Sequence, residues 1–195
     1  MIRPTLLACL AACVLMPAAA AAQDDSPLPA WRSGPASDAT MDVGQRFDCV
    51  GPGCPNGLSC LYAMGPYRPP GSWPITAEFI MDPAKMPWSD YEFWLTEKAK
   101  ALRPVLAEDP LVRSDRFAER SEPQKLSLAD QTLVKRDYVL ASKLRAFAIP
   151  AFLWAARGRL TTMFCIVPRQ EEQAAQVPER DLLAWLLPRS LKDAK

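Results

Sequence analysis

Six cysteines and a complete absence of histidine set the chemistry open to this chain of 195 residues. Four cysteines fall in the body of the sequence: Cys49, Cys54 and Cys60 inside FDCVGPGCPNGLSC, and Cys165 inside TTMFCIV. Such thiols could act as nucleophiles, as a redox pair or as metal ligands. Their C-x4-C-x5-C spacing is not the C-x-x-C of a dithiol, and the glycine-rich surroundings offer no helix N-terminus to lower a thiol pKa. Without histidine the Ser/His and Cys/His dyads are lost, and with no second close cysteine pair a zinc knuckle has no ligand set. No catalytic residue, metal or cofactor is therefore expected. An even set of four cysteines points instead to two structural disulfides, with three connectivities open and one bridge tying the loop region to Cys165.

Stable disulfides require an oxidising compartment, and the N-terminus supplies the route to one. Arg3 precedes an apolar run that ends in LMPAAAAAQDD, the pattern of a secretory signal over residues 1–22 cut before Gln23. The run is shorter than the roughly 20 residues of a membrane span. A rival processing site, LAAC at Leu10 to Cys13, resembles a bacterial lipobox, and lipidation of Cys13 would tether the protein to a membrane. The alanine-rich segment points to a bacterial chain with a periplasmic destination. Removing residues 1–22 takes only Arg3 from the 23 basic residues, leaving 22 against 22 acidic ones. Such a balance gives no reason to expect nucleic acid or an anionic surface as partner.

The elements that must position these residues divide near Ser72. Seven of the eight glycines lie between Gly34 and Gly71, so residues 23–72 read as a disordered arm followed by an irregular Cys/Gly/Pro-rich loop region, and residues 73–195 as the regular domain. Ile75 to Met81 reads as a strand. Ser89 and Glu92 form a capping box for a helix from Asp90 to about Arg103, with Tyr91, Leu95, Ala99 and Leu102 inward and Pro104 as its stop. Residues 107–126 carry no clear period. Ser127 would cap a second helix, Leu128 to Phe147, whose stripe is Leu133, Leu140, Leu144 and Phe147. A β-hairpin follows: strand Ala151–Ala155, a turn at ARGR with Gly158, and strand Leu160–Val167. A closing amphipathic helix would start at Pro178 and bury Leu182, Leu183, Trp185 and Leu186.

In that order of elements, the segment DYVLASKLRAFAIPAFLWAARGRL and the closing LLAWL resemble the thioredoxin superfamily over about Pro74 to Lys195. The resemblance implies an α/β fold, a thioredoxin-like central sheet flanked by helices, here behind an irregular N-terminal extension. It also implies a cis peptide bond between Ile149 and Pro150, beside the family's dithiol, where a bound peptide pairs with the free backbone. The dithiol itself is missing. The matching segment is MDPAKMPWSDYE, and aligning Pro87 with the proline of C-x-P-C places Lys85 and Trp88 at the cysteine positions. Neither can exchange a disulfide.

Two functional expectations follow from the resemblance. The first is a non-catalytic periplasmic protein that binds another protein or peptide as an accessory of an envelope, secretion or conjugation assembly. Its binding surface would be an apolar ledge of Met86, Pro87 and Trp88 beside Ile149 and Pro150. The same three residues could instead pack under the first helix as a hydrophobic staple. The second is a thiol-disulfide oxidoreductase or isomerase with displaced cysteines, in which a loop cysteine reaches Cys165 near Pro150. A small-ligand module built on tryptophan is a third class, but the six tryptophans are scattered along the chain, which favours packing.

Overall fold

The computed structural model describes residues 28–36, 43–65, 74–109, 112 and 117–192. The expected signal segment and Cys13 lie outside them. Three strands come first: β1 (Trp31–Pro35), β2 (Val43–Cys49) and β3 (Ser59–Met64). Three helices follow, α1 (Ala77–Met81), α2 (Trp88–Leu102) and α3 (Pro104–Ala107). Then come β4 (Glu119–Arg120), β5 (Gln124–Leu128), β6 (Gln131–Ala141), β7 (Ala146–Ala156), β8 (Arg159–Pro168) and the long α4 (Glu172–Lys192).

All eight strands join one antiparallel sheet in the order β1-β2-β3-β8-β7-β6, with β4 and β5 both paired along the outer side of β6. Its faces are filled separately. Leu61, Val134, Tyr138, Ile149, Leu153, Phe164 and Ile166 meet α1, α2 and α3 on one face. Phe47, Cys60, Tyr62, Phe152, Trp154, Met163 and Val167 meet α4 on the other. Because β7 and β8 are covered on both faces, their sequences are nearly unbroken apolar runs rather than alternating ones. Burying Leu182, Leu183, Leu186 and Leu187 contributes about 1.5–3 kcal/mol each toward holding α4 down.

The class expected from sequence, α/β with a sheet and flanking helices, is present, but several elements differ. The segment read as a disordered arm and loop region supplies β1 from the arm and β2 and β3 beyond it, so the sheet crosses the boundary placed near Ser72. Gly34 and Pro35 lie within β1 and Gly44 within β2, while Gly51, Pro52, Gly53, Pro55 and Gly57 fall in the β2–β3 connection, where Gly53 and Gly57 take φ of +86° and +76°. Ile75 to Met81 is a strand only by composition: Thr76 caps α1, accepting from the Phe79 N–H at 3.1 Å. The helix expected over Leu128 to Phe147 is instead β6 and the start of β7. A step of seven residues keeps one helical face but changes sides in a strand. Leu133 accordingly packs under α4 and Leu140 under α2. Leu144, expected in the core, is 87% exposed in the β6–β7 turn.

Other expectations hold. The helix at α2 buries Tyr91, Leu95, Ala99 and Leu102, and α3 begins on Pro104. The β7–β8 hairpin turns on Arg157 and Gly158, both at positive φ (+55° and +68°), the two-residue turn whose twist suits a hairpin. The closing helix buries the expected leucines but starts at Glu172, so Pro178 lies inside it.

Candidate functional site

Of the residues expected to form the ledge, Met86, Trp88 and Ile149 share one core cluster and Pro87 stands at the N-cap of α2, but Pro150 lies apart from them. Met86 is buried in the core beneath α2, and Trp88 lies half-buried at the first turn of α2 with its ring edge-on to Tyr91 at 5.9 Å. Ile149 faces the same side. Pro150 does not: its neighbours Ala148 and Phe152 both belong to the core beneath α4. Strand alternation therefore puts Pro150 and Trp88 on opposite sides of the sheet. No cis peptide bond occurs among the described residues, so the bond before Pro150 is trans, correcting the expectation carried by the resemblance. Pro150 sits mid-strand, paired with Asp137 of β6, and the β7–β8 ladder lapses at Ile149 and Pro150. A residue with no N–H to donate suits such a lapse.

Two bridges use all four cysteines of the body of the chain. Cys49 joins Cys54 within the β2–β3 connection, and Cys60 of β3 joins Cys165 of β8. The second is a cross-strand pair in direct register and has no exposed surface. Ala148 lies opposite Val167 and Ala151 opposite Phe164, so the same register puts Pro150 opposite Cys165. The proline thus neighbours a cysteine, as the second expectation had it, but a bridged one in the interior.

Around Trp88 the fold assembles a group that the sequence does not advertise. Glu92, expected to close a capping box, points inward. Arg136 of β6 reaches its Oε1 at 3.0 Å, and Arg120 of β4 reaches its Oε2 at 3.1 Å. The Arg136 Nε donates to the Ser121 carbonyl at 2.9 Å, and its guanidinium lies over the Trp88 ring at 4.6 Å. Beside it Tyr91, its hydroxyl 2.9 Å from the Thr162 Oγ1, is pushed well above the ordinary tyrosine pKa by burial. Glu92 Oε2 thus accepts from Arg120, Oε1 lies within ion-pair reach of Arg136, and Arg136 is held on three sides. Such a clamp locks α2 onto β6 and β4 rather than presenting a base to a substrate.

A second clamp ties the β2–β3 end. Asp48 receives both Nε and Nη2 of Arg46 at 2.9 Å. Ser59 donates to Asp48 and also accepts from Arg103, which donates in turn to the Gly57 carbonyl. Burial works to raise the Asp48 pKa, but the Arg46 and Ser59 hydrogen bonds and the Arg46 and Arg103 charges prevail and hold it below its ordinary value.

Across the sheet, Glu179 occupies the buried stripe of α4 between Ala175 and Leu182. It is 5% exposed and its Oε1 has no hydrogen-bond partner among the described residues. Burial pushes its pKa up to about 8, with Lys135 opposing and Asp137 and Glu172 adding. Hydrophobic periodicity from Leu182 onward stopped short of it, so its helical position, i−3 and i−4 from the leucine pair, was the signal overlooked.

No family model matches the chain, and no curated protein matches it. Among solved structures it is similar to a Pseudomonas aeruginosa protein of unknown function described as a putative regulator. The likeness has 12% identity and a TM-score of 0.31, and covers 63% of this chain and 69% of that one. At that score neither fold nor function carries over.

Proposed function

We propose that this chain is an exported, disulfide-stabilised, non-catalytic protein that binds another protein of the bacterial envelope, reaching the periplasm through its N-terminal signal. The observation that carries the reading is the pairing of Cys49 with Cys54 and Cys60 with Cys165, which suits an oxidising compartment and leaves these sulfurs no free thiolate. The ionic clamps around Glu92 and Asp48 support it, because each spends its charges on anchoring elements. The thioredoxin-like arrangement is not part of the proposal, because the helix on which it was built is formed by strands.

One observation favours the alternative of a thiol-disulfide oxidoreductase: the register places Pro150 opposite Cys165. Its weakness is access, since neither Cys60 nor Cys165 has exposed surface. Purified mature protein separates the two. A non-catalytic protein titrates no free thiol before denaturation and leaves insulin unreduced in the presence of dithiothreitol beyond the background rate. Catalysed insulin reduction, lost in Cys165→Ser, would sink the proposal in favour of the alternative.

A further inference from the structure

The C-terminal half of α4, the strands β2 and β3 and the β7–β8 turn enclose a cavity of about 220 Å³. Tyr62, Met64, Trp185 and Leu186 form its walls, and Gln45, Arg157 and Arg189 its polar rim. Behind Tyr62 the Trp154 ring stacks at 6.1 Å, and the Trp154 Nε1 donates to Ser190 at 3.0 Å, which fixes the floor. Trp185 thus lines the cavity, and Trp154, distant in sequence and buried, backs it from behind Tyr62.

The rim is positive and underused. Arg189 lies on the Trp185 ring at 3.8 Å and donates one Nη1 to the Trp185 carbonyl, its one acceptor among the described residues. Arg157 has no charged or hydrogen-bonding partner among them. Its backbone also sits at φ +55°, in a turn position that favours asparagine, aspartate or glycine. The hairpin turn itself accounts for that φ; what points to a ligand is a guanidinium without a partner among the described residues at the mouth of a cavity. Among the described residues no carboxylate lines the cavity to neutralise the two guanidiniums. The end of α4 contributes roughly half a negative charge, which two full positive charges outweigh.

We propose that this cavity binds a small apolar carboxylate, with its body between Tyr62, Met64 and Trp185 and its carboxylate on Arg157 and Arg189. Size sets the class: a cavity of about 150 Å³ takes one benzene ring, so this one accommodates a ring or branched aliphatic group and its acid. The acid could be a free metabolite-sized molecule or the last residue of a polypeptide, which share this chemistry. This ligand site goes beyond the proposed function and does not depend on it.

Calorimetric titration of the mature protein tests the assignment. The probes are phenylacetate, phenylacetamide, and a short peptide ending in phenylalanine as free acid and as amide. Saturable binding of phenylacetate or of the free-acid peptide is expected, with the corresponding amide weaker by about tenfold or more, the loss of one charge-assisted contact. Whichever acid binds identifies the source. Arg157→Gln and Arg189→Gln should each weaken the acid by about tenfold or more. Arg157 is in an exposed turn, so its variant decides the matter if the Arg189 variant is unfolded by circular dichroism. The proposal is overturned if neither acid binds, if amides bind as well as acids, or if Arg157→Gln binds like the wild type.

Discussion

Replacing Glu179 with glutamine should flatten the dependence of folding stability on pH between about 5 and 8. The carboxyl is buried in the α4 stripe and its pKa is pushed up to about 8 from an ordinary 4.5. Between those values the folded protein keeps the proton that the unfolded chain releases. The unfolded state then binds fewer protons, so stability falls as pH rises. It is highest, so far as this group decides, below about 4.5, declines by roughly 1.4 kcal/mol per pH unit through the window, and levels off above about 8. Integrated, the change reaches about 5 kcal/mol as a ceiling, because water entry or a shift of α4 relieves part of the burial. An observable loss of about 2–3 kcal/mol between pH 5 and 8 is a reasonable working size.

The neighbours do not reverse this sign. Lys135 faces Glu179 from β6 and lowers its pKa, whereas Asp137 on the same strand and Glu172 on α4 raise it. Lys135 is itself engaged with Asp137 at 2.9 Å, which limits the compensation it offers. Urea unfolding followed by circular dichroism at several pH values reads the effect directly, with disulfides intact and the m-value checked for constancy. Glu179→Leu should be the most stable variant at pH 8, since it restores the stripe that Ala175, Leu182 and Leu186 define. If wild type and Glu179→Gln run parallel across the window, the buried, partnerless carboxyl described here is wrong.

Further substitutions test the packing. Replacing both Cys60 and Cys165 by alanine should lower stability by about 4–5 kcal/mol in urea melts, because their bridge closes a loop of more than a hundred residues; the short Cys49–Cys54 loop should cost less. Arg136→Ala strands Glu92 against a single guanidinium and should cost about 3–5 kcal/mol, while Glu92→Gln combined with Arg136→Met recovers part of the loss, which a double-mutant cycle measures. Leu144→Asp should change stability by less than about 0.5 kcal/mol, as a surface substitution does, whereas a helix with Leu144 in its core stripe would lose several times that.

The Leu144 test bears on why part of this fold could be read from sequence and part could not. Where one face of an element is buried and the other wet, the pattern was legible: α2 displays Tyr91, Leu95, Ala99 and Leu102 at steps of three and four, and they are its buried side. The β7–β8 hairpin was legible because Gly158 and an apolar run on each side leave few alternatives. β6 was not. Val134, Tyr138 and Leu140 share the α2 face at even spacing, but the charged Arg136 stands among them and Leu133 is buried on the other face, so the alternation is masked and a seven-residue spacing taken for a helical stripe joins residues on opposite faces.

The polar groups escaped for a different reason. A charged residue in a sequence looks solvated until its partners are known, and those of Glu92 lie 28 and 44 positions away, one in a stretch without a clear period and one in a strand read as a helix. Once β6 is a strand, Arg136 falls on the α2 side with Tyr138, and Lys135 and Asp137 fall on the α4 side. One change of secondary structure therefore places both buried carboxylates: Glu92 meets a cation on its face and is held, and Glu179 meets on the other a lysine already paired with Asp137, leaving a carboxyl that burial keeps protonated. The same alternation parts Pro150 from Trp88, so the ledge inferred from their adjacency in the thioredoxin resemblance has no physical basis. What the fold gathers instead, at the far end of α4, is Trp185, Tyr62 and an idle Arg157, three residues whose separation in sequence hid that they share one face.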